Sequence, residues 1–123
     1  MAKILIVDDS EYFREVMLDI LQNAGHAVVE SAENGAEGFE MYKLLHPDLT
    51  TLDVTMPVMD GIEALRKILE FDPEAKVIMV SSSAQSNKIS EALILGAYEF
   101  LPKPFDKEKL LNVIAGILAS IMK

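Results

Sequence analysis

The chain has 123 residues, half of them apolar and a quarter charged, which is enough for one globular domain with a real core. Its net charge of −9 argues against nucleic-acid backbones and anionic lipid as partners and favours metal cations and basic protein surfaces. The absence of cysteine excludes disulfides and thiolate metal sites and permits a reducing, cytoplasmic setting.

The N-terminal MAKILIVDDS carries one lysine, a short apolar run and two acids, which is not the pattern of a signal peptide. No apolar run reaches the roughly 18 residues that a membrane span needs. Along the chain two periods alternate. ILIV (4–7) is a continuous apolar run. After it, Phe13, Val16, Met17, Ile20, Leu21 and Ala24 recur at helical spacing until Gly25. AVVES (27–31) reads as a second strand. NGAEGFEMYKLLH reads as a helix capped near Asn34 and ended before Pro47. LTTLD (49–53) is a third strand, and GIEALRKILEF (61–71) a helix capped by Asp60 and ended by Asp72-Pro73. KVIMV (76–80) is the fourth strand and NKISEALILG (87–96) its helix. AYEFL (97–101) is the fifth strand, and a last helix runs from about Asp106 to Ile121. His26 and His46 fall at element ends and are expected to be exposed.

Five strands alternating with five helices imply right-handed crossovers and a parallel sheet covered on both faces. Sites in such sheets form beyond the carboxyl ends of the strands. Here the first strand runs into Asp8-Asp9, the third ends in Asp53, the fourth meets Ser81-Ser82-Ser83, and the fifth leads to Lys103. Converging carboxylates repel by about 4 kcal/mol per close pair at an effective dielectric of about 20. A shared proton, the Lys103 ammonium or a bound cation must offset that. All-oxygen ligands suit Mg²⁺, and a carboxylate facing such an ion is a competent phosphoryl acceptor. Mg²⁺, Lys103 and the Ser81 hydroxyl could each neutralise phosphoryl oxygens.

The motifs VDDS (7–10), LDVTMPVMDG (52–61), VIMVSSSAQ (77–85) and GAYEFLPKPF (96–105) stand in the order and spacing of one family. The chain resembles the receiver domain of two-component response regulators, of the stand-alone CheY type, over essentially its whole length. The resemblance implies one receiver domain over 1–123. Its fold would be a flavodoxin-like (βα)5 doubly wound α/β fold with strand order 2-1-3-4-5. It further implies that Asp53 takes a phosphoryl group from the phosphohistidine of a sensor histidine kinase or phosphotransferase protein. Asp9, Asp53 and the Thr55 carbonyl would ligate Mg²⁺, or Mn²⁺ in its place, with Asp8 holding a metal-bound water. Ser81, Ser82 and Lys103 would contact phosphoryl oxygens, and Lys103–Pro104 would be a cis peptide. Ser81 and Phe100 would be the switch pair, and Thr55 and Ser83 would tune the phosphoryl lifetime. The expected output is a change on the face of the fourth helix, fifth strand and fifth helix. A downstream partner in chemotaxis-type signalling would read that face, with a phosphorelay role as the alternative. The protein would be a monomer, able to dimerise on activation, with no nucleic acid or membrane partner, and a signalling phosphoacceptor instead of an enzyme.

Plainer explanations compete at each position. Asp8 and Asp9 could cap the first helix, Ser81–Ser83 could be an ordinary polar loop, and Phe100 a core aromatic. Ser81 stands where threonine is commoner in the family, and Phe100 replaces the tyrosine of the best-known chemotaxis members. A flavin or nucleotide protein on this fold would need a phosphate-binding loop where the chain has DDSEYF. An aspartyl-phosphate hydrolase of the haloacid-dehalogenase type would need a second aspartate at the position of Thr55.

Overall fold

Strand and helix periods alternate in the chain, and each run forms the element its period dictates. The computed structural model describes residues 2–82 and 86–121. The strands are β1 (Lys3–Val7), β2 (Ala27–Ala32), β3 (Leu49–Asp53), β4 (Val77–Ser82) and β5 (Glu99–Lys103). The helices are α1 (Glu11–Asn23), α2 (Gly35–Leu45), α3 (Gly61–Phe71), α4 (Ser86–Leu95) and α5 (Lys107–Ile121). The strands form one parallel sheet in the order β2-β1-β3-β4-β5. That is the flavodoxin-like order, with its switch point between β1 and β3. No helix among the described residues is long and apolar enough to cross a membrane.

Side chains alternate across the sheet and supply two cores. Leu5, Val7, Leu52, Val77 and Met79 face α2, α3 and α4, where they pack with Tyr42, Leu65, Ile68 and Ala92. Ile4, Ile6, Leu49, Ile78, Val80 and Leu101 face α1 and α5, meeting Met17, Leu21, Leu110, Ile114 and Ile117. Each fully buried aliphatic side chain contributes about 1.5–3 kcal/mol of transfer free energy. The inner strands are buried on both faces, which is why β1 and β4 read as unbroken apolar runs.

Local chemistry sets the helix starts. The Ser10 hydroxyl accepts from the Phe13 N–H at 3.1 Å, Asn34 Oδ1 from Glu37 at 2.9 Å, and Asp60 Oδ1 from Glu63 at 2.9 Å. The cap of α1 is thus Ser10, and neither Asp8 nor Asp9 is needed for it. Gly25, with φ +89°, takes the left-handed position that lets the chain leave α1 for β2.

Departures from the sequence expectation include two strand boundaries and the burial of His26. The fifth strand was expected over 97–101 and lies over Glu99–Lys103. The N–H groups of Gly96 and Ala97 both return to the Ala92 carbonyl, so α4 keeps hold of the chain past its last turn. The expected strand also stopped before Pro102, but β5 is an edge strand, where proline is tolerated. The fourth strand extends through Ser82, which puts Ser81 in the sheet and not in a loop. His26 is half-buried, against expectation, because its Nδ1 accepts the Ala2 N–H at 3.2 Å where β1 begins.

The β3–α3 connection is drawn tight. Met59 N–H bonds the Pro57 carbonyl at 2.7 Å across Val58, which is held at φ +69° while 84% exposed. A β-branched residue in that region is strained by about 1–3 kcal/mol. Glycine relieves the strain and returns about 0.5–1 kcal/mol through its freer unfolded chain. Val58→Gly should therefore stabilise the fold by about 1 kcal/mol, read as a higher urea midpoint at unchanged slope.

Candidate functional site

The carboxyl ends of β1, β3 and β5 deliver three of the expected groups to one corner by simple parity. Val7 and Leu52 belong to the α2–α4 core, so Asp8 and Asp53, one residue on, turn to the α1–α5 side. Leu101 already faces that side, and Lys103, two residues on, follows it. Asp8 and Asp53 are buried while Asp9 is exposed. A carboxylate oxygen from each of the three lies within 4.8 Å of the others.

Lys103 spans the corner from the sheet edge. Its Nζ donates to Asp8 Oδ2 at 2.8 Å and stands 3.8 Å from Asp53 Oδ1. Asp8 is held on both sides. Its Oδ1 accepts the Ser10 N–H at 2.9 Å, and its carbonyl accepts from Arg14 Nη1 at 2.7 Å. One ammonium faces three carboxylates, and the balance shows at Asp53, whose pKa is pushed from 3.8 up to about 7. Burial is the largest cause. Repulsion from Asp8 adds to it, Lys103 opposes it, and Asp9 adds a further push. The site is short of positive charge, and its hard oxygen donors suit Mg²⁺ or Mn²⁺.

Ser81 is buried and lies one step beyond Val80, the register partner of Asp53. By the same parity it turns to the α2–α4 side, opposite Asp8, Asp53 and Lys103. Phe100 pairs with Met79 and is half-buried against the α2–α4 core. Thr55 is exposed in the loop after β3. The Lys103–Pro104 peptide is cis. The backbone of Ser82 ends β4, while its side chain and the whole of Ser83 lie outside the described residues.

Three contributors escape a reading of the sequence. Arg14 looks like a solvated helical charge, yet it braces the Asp8 backbone. Gly61 looks like a helix-start residue, yet a Cβ there would overlap the Asp53 carbonyl oxygen, so only glycine lets α3 start against β3. Its N–H bonds the Val54 carbonyl at 2.7 Å. Phe13 reads as core, yet its ring lies under Lys103, with Nζ 4.1 Å from the ring centroid. The capping pattern around Asp60-Gly61 was the one available signal, and it pointed only to the helix.

A family model for the response regulator receiver domain matches residues 4–115. The chain belongs to the response regulator receiver family. It is similar to the chemotaxis protein CheY of Bacillus subtilis, at 46% identity over 112 residues covering 91% of this chain and 93% of that one. The CheY of Treponema pallidum is 44% identical over 118 residues, covering 94% of this chain and 82% of that one. Among solved structures, the CheX–CheY–BeF3–Mg²⁺ complex from Borrelia burgdorferi contains a chain with TM-score 0.90 and 37% identity. The match covers 94% of this receiver and 88% of that chain. The receiver is thus a CheY-like member of a family of signalling phosphoacceptors, not of conventional enzymes.

The raised Asp53 pKa has a definite sign. Between 3.8 and about 7 the folded protein holds a proton that the unfolded chain has lost, so this group's contribution to stability falls as pH rises through that window. In EDTA, Asp53→Asn should stabilise the receiver at pH 8 and lose that advantage as pH falls toward 4. The expected gain is about 1–2 kcal/mol, below the roughly 4 kcal/mol a shift of this size converts to, because solvent at the Asp9 side screens the charge. Paired thermal melts across pH check this.

Proposed function

We propose that Asp53 is the phosphoacceptor of a chemotaxis-type response regulator and that residues 1–123 act as one receiver domain. The observation carrying this reading is the buried Asp53 carboxylate, 3.8 Å from the Lys103 ammonium and crowded by Asp8 and Asp9. In the reaction, an Asp53 oxygen attacks the phosphorus of a phosphohistidine on a histidine kinase or phosphotransferase protein. The new O–P bond forms as the P–N bond breaks, and the imidazole leaves. Lys103 is already charged and close, and it is the group that can turn from Asp8 to a phosphoryl oxygen. Ser81, one residue past the register partner of Asp53, is the neutral donor from the other side of the strand.

The metal fits the donor set. Asp9, Asp53 and the Thr55 carbonyl would hold Mg²⁺, with Asp8 acting through water. When bound, the ion supplies charge neutralisation between acceptor and phosphoryl oxygens. Thr55, exposed and neutral, offers no general acid of the kind an aspartyl-phosphate hydrolase needs. Thr55 and Ser83 remain the proposed lifetime-setting positions, and Ser82 a backbone contact to the phosphoryl group.

The output surface is proposed on α4, β5 and α5. Leu93 and Tyr98 are 45% and 44% exposed and Ile94 86%, which is exposed apolar area, with Lys76 Nζ 5.7 Å from the Tyr98 ring centroid. Ser81 drawn toward a phosphoryl group would open space on the α2–α4 side, where Phe100 packs. The downstream partner then gains at most the difference in its affinity for the two arrangements.

Acetyl phosphate with Mg²⁺ should place one acid-stable, base-labile phosphoryl group on Asp53, and Asp53→Asn should take up none. Label retained by that variant, or mapped to a serine, would sink the assignment. Independently, free Mg²⁺ at about ten times its dissociation constant should add about 1.4 kcal/mol of stability. Asp9→Asn should abolish most of that gain; coincident melts with and without millimolar Mg²⁺ would rule out the metal site.

A further inference from the structure

We propose that Phe13 is a positioning residue for Lys103, its ring face holding the ammonium over the carboxylates; this rests on the phosphoacceptor reading above. Lys103 approaches from the edge strand on a flexible four-carbon stem, and nothing in β5 alone fixes where its charge sits. Four contacts converge on that charge or on the ring beneath it. Nζ lies 2.8 Å from Asp8 Oδ2, 3.8 Å from Asp53 Oδ1 and 4.1 Å from the Phe13 ring centroid. Phe13 is in turn braced by Phe105, edge to face, with centroids 5.7 Å apart and planes at 89°.

The two aromatic residues come from the right places for this task. Phe13 N–H is bonded to the Ser10 hydroxyl, and Ser10 N–H to Asp8 Oδ1, so the ring is anchored to the same turn as the acids. Phe105 lies two residues beyond Lys103, on the segment leading into α5. The ring therefore ties the tip of the lysine to the acids at one end and to its own backbone at the other.

An aliphatic side chain of similar size would fill the same space, since Phe13 also packs against the α1–α5 core. It would not attract a cation. The ring face does so through its quadrupole, most strongly where the ammonium is partly desolvated, and the Lys103 side chain is 23% exposed. With one side of the ammonium occupied by the ring, its N–H groups are turned toward the carboxylates and toward the place a phosphoryl group would enter. Positioning of this kind counts directly in a reaction whose catalysis is mainly placement of charge.

The contact itself is tested without metal or phosphoryl donor. In the metal-free protein the Lys103 ε-methylene protons should be shifted upfield by the ring current. Phe13→Leu should return them to the range of a free lysine, and Phe13→Tyr should keep the shift. At saturating Mg²⁺ and acetyl phosphate, Phe13→Leu should slow phosphoryl uptake about fivefold, the size expected of one such contact. Phe13→Tyr should restore the rate, and in a Lys103→Met background Phe13→Leu should cost nothing further. An unshifted Lys103 methylene in the wild-type protein overturns the proposal. So do equal rates for the wild type and Phe13→Leu, or an undiminished loss in the Lys103→Met background. Should Phe13→Leu fail to fold, Phe13→Met takes its place in every comparison. If the wild type takes up no phosphoryl group at all, the phosphoacceptor reading falls, while the chemical shift still decides whether the ring holds the lysine.

Discussion

The ammonium of Lys103 stands against the carboxylates of Asp8, Asp9 and Asp53, and the architecture around it keeps that imbalance from relaxing. Surface acids would separate into water, and a fully buried set would take up protons. Here two are buried, one is exposed, and the lysine is shared unequally, at 2.8 Å from Asp8 and 3.8 Å from Asp53. Asp8 has its charge compensated, while Asp53 is left with a pKa near 7. The electrostatic cost thus falls mainly on one residue, which is the residue that a cation or an added phosphoryl group would address.

The sheet makes this arrangement possible because its alternation is rigid. A shift of one residue in β1 or β3 would send Asp8 or Asp53 to the opposite face and replace it with an apolar side chain. The cores on both faces forbid that shift, since Leu5 and Val7 cannot exchange places with Ile4 and Ile6 without reversing both cores. The packing that stabilises the fold therefore also fixes the register of the site. Close backbone approach does the rest. Gly38 sits where a Cβ would press on Val7, and Gly35 where one would overlap the Met59 carbonyl.

Much of this was legible in the sequence, and the exceptions have physical causes. Strand β3 and helix α3 were bounded correctly because Asp53 and Asp60-Gly61 are abrupt changes of chemistry. The sheet order came with the family resemblance that the motifs carry, and the acidic corner with the acids at the strand ends. Strand β5 was displaced because Ala97 and Tyr98 are apolar enough to mimic a strand, while the hydrogen bonds that hold Gly96 and Ala97 to α4 leave no composition signal. Phe13 and Arg14 were hidden for a related reason. At helical spacing an aromatic reads as core and an arginine as surface, and only the fold shows that both reach back to the turn they follow. The strain at Val58 was equally invisible, since valine is a poor predictor of a positive φ.

Gly61 has a mechanical consequence. With no side chain between them, α3 begins in direct backbone contact with the end of β3, its first N–H bonded to the Val54 carbonyl. Strand and helix form a weld with no compressible layer, so they move as a single body. Beyond Asp53 on the other side, the described residues of β4, β5 and α4 pack through side chains such as Met79, Phe100 and Ala92. Side chains can change rotamer where overlapping backbones cannot slide. The wall at β3 and α3 therefore has no side-chain layer that could readjust, whereas on the β4 and β5 side Met79 and Phe100 can change rotamer.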